Sequence, residues 1–296
     1  MGRDSNQHLK NTRSKKYYDN KMCVIGTMHR KEEAIASSFL NFLGLNVVPL
    51  RIDTDQFGTF TKEVERKKDP LTCARHKCEL AIKESQQAIG VASEGSFGQH
   101  PYSPFIASTQ EILYFIDTEK RFHLYQSLVS VNTNYSMKVI STLEELKRFC
   151  DQALFPSHAL IVTPSQSPNQ SLIFKGIQDW DTLQEHFFKC SSLSLEGSVL
   201  VETDMRAHMN PTRMGVIQEL ANSLAKRLAT LCPLCACPGW GMVKIHKGLE
   251  CEICGAKTDM IREKVFGCPK CSYQESQPRQ DGVTQANAEY CLFCNP

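Results

Sequence analysis

The segment MCVIGTMHRKEEAIASSFLNFLGLNVVPLRID, residues 22–53, decides the fold class because it alternates between two kinds of periodicity. Its first six residues, MCVIGT, form a short apolar run that is typical of a buried strand. Apolar side chains then recur at helical spacing up to Gly44, which occupies the position of a helix C-cap. LNVVPLRID (45–53) again has the composition of a strand. This strand–helix–strand order predicts an α/β domain.

The alternation of strands and helices continues as far as residue 230. Apolar strand-like runs alternate with helix-start signals, in which a capping residue precedes proline or a capping box. We therefore predict a mixed β-sheet flanked by helices over residues 21–230. The predicted strands are 88–95, 111–118, 121–129, 159–164, 171–176 and 198–203, and the predicted helix starts are Asp69-Pro70, Ser141-x-x-Glu144 and Asn210-Pro211.

The length, composition and net charge of the chain restrict the classes of protein to which it can belong. A length of 296 residues favours about two domains, and residues 1–20 have so few apolar side chains that we predict a disordered tail. A net charge of +2 gives the chain no overall attraction to nucleic acid or anionic membranes. Neither a membrane-length apolar run nor a secretory signal is present in the sequence. We expect a cytoplasmic protein with no membrane contact.

Nine of the 14 cysteines lie in the last 65 residues, and we predict a separate double zinc-ribbon domain over residues 231–296. Eight of the nine form C-x-x-C pairs, whose spacing lets both thiolates of a pair reach one ion. Two pairs complete a tetrahedral site, so the segment predicts two sites of four cysteines each, for two structural Zn²⁺ ions. Disulfides and an iron–sulfur cluster fit the sequence less well. The pairs are Cys232/Cys235, Cys251/Cys254, Cys268/Cys271 and Cys291/Cys294.

The pairing of these motifs is left open by their spacing. Sequential pairing closes the shortest loops and is favoured, but nested and interleaved arrangements also satisfy the ligand count. Cys237 and His246 are alternative ligands that we interpret as bystanders. Residues 232–296 carry seven basic and seven acidic side chains, so this domain is a poor phosphate binder and protein contact is the favoured role.

Two polar stretches in the first part of the sheet domain are candidates for ligand binding. Thr27, His29 and Lys31 follow the first strand, where the start of a helix suits a phosphate or carboxylate. In the stretch 53–70, carboxylates lie beside an arginine and could bind a hard metal ion together with an anion. Arg75 and Lys77 follow on the next helix and are predicted to face the same cleft. The candidates in 53–70 are Glu63, Glu65 and Arg66.

Two further polar stretches come after later strands. Glu94, in ASEGSFGQHP (92–101), ends an otherwise apolar strand, which is where open α/β sheets place ligands. We predict Glu94 as the most important functional residue. Asp204, Arg206 and His208 likewise lie between a strand and a helix.

The sequence resembles an uncharacterised bacterial family of unknown function. The resemblance rests on ASEGSFGQHP, DTDQFGTFT (53–61), TDMRAHMNPTRM (203–214) and the four C-x-x-C motifs, and it covers nearly the whole chain after the tail. It implies no activity.

A more distant likeness is to the inosine/xanthosine triphosphate pyrophosphatases, through the order of elements, the Thr27–Lys31 turn and Glu94. This likeness implies that Glu94 with Glu63 or Glu65 holds Mg²⁺ on a nucleoside triphosphate. Arg75, Lys77, Arg213 and the turn would neutralise phosphate charge while a metal-activated water attacks phosphorus. The predicted function is thus an Mg²⁺-dependent phosphohydrolase for a nucleotide or another phosphorylated small molecule. The alternative is a non-enzymatic zinc-ribbon adaptor that binds protein or nucleic acid.

Overall fold

A computed structural model describes residues 16–52, 68–166 and 172–296 of the chain. In those residues the chain forms three sheets and five α-helices, which confirms the predicted α/β class with helices flanking a mixed sheet. None of the helices in these ranges combines the length and the apolarity that crossing a membrane requires. The elements are β1 (Met22–Gly26), α1 (Glu32–Leu43), β2 (Asn46–Leu50), α2 (Pro70–Ser85), β3 (Ile89–His100), β4 (Ser103–Asp117), β5 (Phe122–Ser130), β6 (Met137–Ile140), α3 (Leu143–Ala153), β7 (Leu160–Pro164), β8 (Phe174–Ile177), α4 (Trp180–Leu193), β9 (Val199–Thr203), α5 (Pro211–Ala229), β10 (Gly241–Lys247), β11 (Ile261–Gly267) and β12 (Gln274–Pro278).

The first sheet has the strand order β2-β1-β3-β4-β5. β1 is parallel to both β2 and β3, whereas β4 and β5 are antiparallel to their neighbours. α1 packs with α5 against the face that carries Ile89 and Val91, and α2 covers the opposite face, which carries Ala92. The helices that follow β1 and β2 therefore lie on opposite faces. Such a reversal leaves a crevice at the carboxyl ends of the parallel strands.

The helix starts follow local capping residues. α2 and α5 begin at the predicted Asp-Pro and Asn-Pro steps. Asp69 and Asn210 each accept a hydrogen bond from the backbone N–H three residues on, at 3.0 and 2.9 Å. α3 starts one residue later than predicted, because Thr142 instead of Ser141 caps it and accepts from the N–H of Glu145 at 3.2 Å.

β3 is longer than predicted. The sequence placed the end of the strand at Gly95 with a loop after it, but β3 continues to His100 and pairs with β4 along this length. The small residues after Gly95 are tolerated because β4 supplies the cross-strand hydrogen bonds that keep them extended. Glu94 therefore lies within a strand and not at its end.

The second sheet, with strand order β6-β9-β7-β8, is antiparallel and has a hydrophobic core of its own. Leu146 and Phe149 of α3 and Leu183 and Phe187 of α4 pack into this core. The stretch predicted as one α/β domain, 21–230, thus contains this core in addition to the buried clusters on the two faces of the first sheet. The chain returns to the first sheet through α5, which packs against α1.

Tyr18, which the sequence analysis assigned to a disordered tail, is a core residue. Its ring is buried and lies 6.1 Å from that of Phe115. Its hydroxyl donates a hydrogen bond to Asp117 Oδ2 at 3.1 Å. The predicted tail therefore does not extend as far as Tyr18, and residues 1–15 lie outside the described part of the chain.

The third sheet, with strand order β10-β11-β12, carries the cysteine-rich segment. It joins the core of the first sheet, because Cys232, Cys268 and Trp240 belong to the same buried cluster as Leu124 and Leu228. Trp240 also stacks on Tyr273, with the ring centroids 5.5 Å apart. One end of the third sheet is therefore anchored on α5 and β5.

Candidate functional site

The turn between β1 and α1 lies at the crevice where the first sheet reverses. Thr27 follows β1 directly, and its Oγ1 accepts hydrogen bonds from the backbone N–H groups of His29 (3.2 Å) and Lys31 (3.5 Å). α1 begins at the residue after Lys31. The buried Thr27 hydroxyl thus fixes a turn that carries the predicted Lys31 at the start of a helix.

Glu94, the predicted catalytic residue, forms a buried ion pair with Lys77. Glu94 Oε2 lies 2.6 Å from Lys77 Nζ, and the two side chains are 7% and 10% exposed. Side chains alternate along β3, so Glu94 faces α2 together with Ala92. The structure therefore brings these two predicted residues together on the α2 face of the sheet.

A second buried ion pair, between Arg213 and Glu111, involves the strand next to β3. Arg213 Nε lies 2.7 Å from Glu111 Oε1, and the two side chains are 7% and 0% exposed. Arg213 also donates to the backbone oxygen of Met205 and lies 4.9 Å from the centroid of the Phe97 ring. Glu111 was not predicted. It lies two residues before the buried Leu113 and so shares its face of β4, and this inward position was the signal that could have found it.

Among the residues that the structure describes, Lys31 forms no ion pair with a carboxylate. Its Nζ donates a hydrogen bond to the carbonyl oxygen of Ser93 at 3.1 Å, and no described carboxylate lies within ion-pair distance of it. Burial, followed by the positive charges of Arg213 and Lys77, lowers the pKa of Lys31 to about 7. Within the described residues this amino group therefore has no direct ion-pair partner, although the charges of Glu94 and Glu111 act on it from further away.

Two imidazole rings stack beside this lysine. The ring centroids of His29 and His208 are 5.1 Å apart and the planes differ by 9°. Burial and then the charge of Lys31 lower the pKa of His29 to about 3. Burial and then the charge of Arg206 lower the pKa of His208. Both rings are therefore neutral near pH 7, and within the described chain the buried Nδ1 of His208 has no hydrogen-bond partner.

Arg206 is held in place by Asp204. Arg206 Nη2 lies 2.6 Å from Asp204 Oδ2, and the Asp204 side chain is fully buried. Asp204 also accepts a hydrogen bond at 3.1 Å from the backbone N–H of Gly176, which lies in β8. This carboxylate therefore ties the second sheet to the polar residues that precede α5.

Arg75 does not face the same cleft as Lys77, contrary to the expectation from the sequence. Its side chain is 54% exposed and pairs along α2 with Glu79 at 2.7 Å. Residues two apart on a helix point to different faces, so Arg75 points away when Lys77 faces the sheet. Glu63, Glu65 and Arg66 lie outside the described residues.

The described polar residues form a cluster with four cations and three carboxylates, which we call the ionic cluster. Among the described residues, each carboxylate forms an ion pair with one of the other three cations, and Lys31 forms none. Mg²⁺ prefers carboxylate oxygens that are not engaged by cations, whereas an anion would balance Lys31. The geometry therefore suits an anionic ligand better than a magnesium ion. The members are Lys31, Lys77, Arg206, Arg213, Glu94, Glu111 and Asp204.

The eight cysteines of the C-x-x-C motifs form two groups of four. Within each group the Sγ atoms lie within 4.8 Å of one another, and the closest contacts are 3.5–3.8 Å. These distances exceed the ~2.05 Å of a disulfide and match the edge, about 3.8 Å, of a tetrahedron with metal–sulfur bonds of about 2.3 Å. Each group could therefore hold one metal ion. The core-side cysteine site is Cys232, Cys235, Cys268 and Cys271, and the distal cysteine site is Cys251, Cys254, Cys291 and Cys294.

The motifs are interleaved, so the sequential pairing favoured from the sequence is wrong. The first motif joins the third and the second joins the fourth, because one strand of an antiparallel sheet separates each motif from the next. β10 and β11 have seven residues each, or about 24 Å, so successive motifs lie at opposite ends of the sheet. Cys237 and His246 belong to neither group, and His246 Nδ1 lies 2.6 Å from Glu263 Oε1.

Comparison with models of known protein families finds a match over most of the chain. A family model described as a domain of unknown function, DUF6671, matches residues 77–296, which is 220 of the 296 residues. The chain belongs to the DUF6671 family. This confirms the predicted membership of a family of unknown function. The DUF6671 match includes both cysteine sites and most of the ionic cluster, but not the turn with Lys31.

No curated protein and no solved structure matches the chain. The likeness to the inosine/xanthosine triphosphate pyrophosphatases is not shown by the DUF6671 match and stays a prediction.

Gly95 allows the close approach between β3 and the Glu111–Arg213 pair in this DUF6671 chain. A Cβ at this position would lie 2.4 Å from Arg213 Nη2 and 2.6 Å from Glu111 Oε1. We expect Gly95→Ala to lower the free energy of unfolding by about 1–3 kcal/mol, because the ion pair must shift. Urea denaturation of the variant and of the wild-type protein measures this difference in the free energy of unfolding. Gly98→Ala is the control, since a Cβ there meets nothing within 4 Å, and equal stability of the two variants would contradict the contact.

Proposed function

We propose that the α/β part of this protein binds a small phosphate- or carboxylate-bearing molecule at the ionic cluster, and that the cysteine sites hold two structural zinc ions. The observation that carries the first part is Lys31, whose Nζ has only the carbonyl oxygen of Ser93 as a described partner. An ammonium group in such surroundings costs free energy unless a negative charge is near it. A bound anion would supply that charge.

The position of Lys31 supports this proposal. It lies at the carboxyl end of β1, where the helices that follow neighbouring parallel strands diverge to opposite faces of the sheet. It also lies at the start of α1, where backbone N–H groups and the helix dipole favour a negative charge. The charge of Lys31, the topology of the first sheet and the direction of α1 therefore all favour a negatively charged ligand.

The phosphohydrolase predicted from the sequence is a narrower form of this proposal. The neutral imidazole of His208 could accept a proton from an attacking water, whereas His29, with a pKa lowered to about 3, is too weak a base for this role. Binding of Mg²⁺ would depend on Glu63 or Glu65, because the carboxylates of the ionic cluster face cations. Release of phosphate or pyrophosphate from nucleotides, with Mg²⁺ or Mn²⁺ present, would show whether bound anions are also hydrolysed.

Zinc is the metal that the cysteine sites favour. Four thiolates in a tetrahedron are the usual ligands of structural Zn²⁺, and they leave no open position for a catalytic water. We infer that the metal contributes folding free energy and takes no part in chemistry.

Sulfate is expected to bind to the wild-type protein below pH 7 and to bind more weakly as the pH rises. Sulfate keeps its charge over this range, whereas Lys31, with a pKa lowered to about 7, loses its proton. The association constant should therefore fall about tenfold per pH unit above pH 7. Equilibrium dialysis with radiolabelled sulfate measures it.

Lys31→Met should abolish sulfate binding without unfolding the protein, because the substitution removes a charge that burial disfavours. Lys83→Met, at an exposed position near the end of α2, is the matched control and should bind as the wild type does. Failure of the folded, zinc-loaded wild type to bind sulfate would contradict the proposal and favour the non-enzymatic adaptor.

A further inference from the structure

A cleft lies between α2 and the β4–β5 hairpin, on the sheet face opposite to α1. Its volume is about 430 Å³, which is within the range of small-molecule sites. None of its lining residues belongs to the ionic cluster. We call it the α2 cleft, and its charged and aromatic lining residues include Arg75, Glu79, Tyr114, Arg121 and His123.

One wall of the α2 cleft is aromatic. Tyr114 of β4 stacks with His123 of β5, with ring centroids 5.7 Å apart and planes 11° apart. Tyr125, the register partner of Tyr114, continues this surface, with planes 4° apart. His123 and Tyr125 are exposed. Another planar ring can extend such a row by stacking on its terminal ring, and His123 is one of the two terminal rings.

Two arginines and two carboxylates line the α2 cleft, and one of the carboxylates is fully buried. Arg121 takes part in no ion pair with any described residue. Arg75 uses its Nε to bind Glu79, which leaves the terminal nitrogens of the guanidinium for another acceptor. The Asp117 carboxylate also lines the cleft, but it is fully buried and accepts from the Tyr18 hydroxyl and the N–H of Lys120.

We propose that the α2 cleft binds a mononucleotide, with its base stacked on His123 and its phosphate held by Arg121 and Arg75. The aromatic wall selects a planar ring, and the two guanidinium groups select an attached anion. The same chemistry occurs at the end of a nucleic-acid strand. The net charge of the chain, only +2, favours the free nucleotide, because strand binding needs many phosphate contacts.

Calorimetric titration of the zinc-loaded full chain with AMP, adenosine and inorganic phosphate tests this site. AMP should bind more tightly than either fragment, since only AMP engages both the ring surface and the cations. Arg121→Ala should weaken AMP about tenfold and leave adenosine unchanged. His123→Ala should weaken AMP and adenosine alike. Arg148→Ala, at an exposed position on α3, is the matched control and should change neither.

AMP binding at the α2 cleft must also be distinguished from anion binding at the ionic cluster. AMP affinity that persists in Lys31→Met and falls in Arg121→Ala supports the α2 cleft, whether or not the ionic cluster binds sulfate. AMP affinity that is absent at millimolar concentration, or unchanged by Arg121→Ala, overturns the proposal. Tighter binding of a 5′-phosphorylated single-stranded oligonucleotide than of AMP would overturn the assignment to a free nucleotide.

Discussion

Cys268→Ser is expected to remove one metal ion and to loosen the first sheet, whereas Cys294→Ser should remove the other ion and leave that sheet folded. The difference follows from where the two cysteine sites lie. Cys268 belongs to the buried cluster that contains Leu124 of β5 and Leu228 of α5. Cys294 and its fellow ligands lie at the other end of the third sheet and outside that cluster.

The expected effects are large because the structural zinc ions proposed for the two cysteine sites would supply folding free energy. Structural zinc in small domains has an apparent binding free energy of about 10–16 kcal/mol, which is comparable to the whole net stability of a typical domain, about 5–15 kcal/mol. Loss of one thiolate ligand should therefore unfold the local cysteine site. At the core-side site this also exposes apolar side chains that pack on α5 and β5.

Metal content by mass spectrometry and hydrogen exchange of peptides from α5 measure the two effects. Each variant should retain one zinc ion per chain, and only Cys268→Ser should raise the exchange rate in α5. Cys237→Ser is the matched control, because Cys237 is buried beside the core-side site but is not one of its ligands. Loss of zinc from Cys237→Ser, or equal exchange in both ligand variants, would contradict this arrangement.

The spacing of the cysteines in the sequence predicted the composition of the two cysteine sites but not the pairing of the motifs. The C-x-x-C motifs were sufficient to predict two sites of four thiolates, because the two thiolates of each motif are close through local geometry alone. Pairing was predicted wrongly, because the argument from loop closure treats the intervening chain as flexible. Each intervening segment contains a strand, and a strand is stiff. Had one strand been assigned between successive motifs, antiparallel pairing would have required the interleaved arrangement.

In the ionic cluster, too, features that involve residues close in sequence were easier to predict than contacts between residues far apart in sequence. Asn210 was predicted as a helix cap from the sequence because capping involves residues three apart. Thr27 was predicted as a donor to a ligand, and the role of its hydroxyl as acceptor in the turn was not foreseen. The partner of Arg213 was missed because Glu111 is 102 residues away in sequence. Arg75 was misplaced although helical periodicity alone separates it from Lys77.

Glu111→Gln is expected to lower the free energy of unfolding by about 3–5 kcal/mol, which is the usual cost of leaving a buried charge without its partner. The Glu111 side chain is fully buried, and the Arg213 guanidinium beside it is 7% exposed. Glutamine has nearly the volume of glutamate, so the loss reflects charge and not a cavity. An arginine side chain is not neutralised in proteins, so the substitution leaves a buried positive charge without its partner.

A thermodynamic cycle in urea separates the ion pair from other effects of the substitution. Glu111→Gln combined with Arg213→Met should be more stable than Glu111→Gln alone, because the second change removes the unpaired charge. Glu79→Gln breaks the exposed pair with Arg75 and is the matched control, where water screens the charge and stability should change little. Equal losses in Glu111→Gln and Glu79→Gln would contradict a buried pair. Sulfate binding by the variant that combines Glu111→Gln with Arg213→Met tests whether Arg213 also acts on the ligand. If this variant is folded but no longer binds sulfate, the charge of Arg213 contributes to anion binding as well as to stability. If it still binds sulfate, the charge of Lys31 is sufficient to hold the anion.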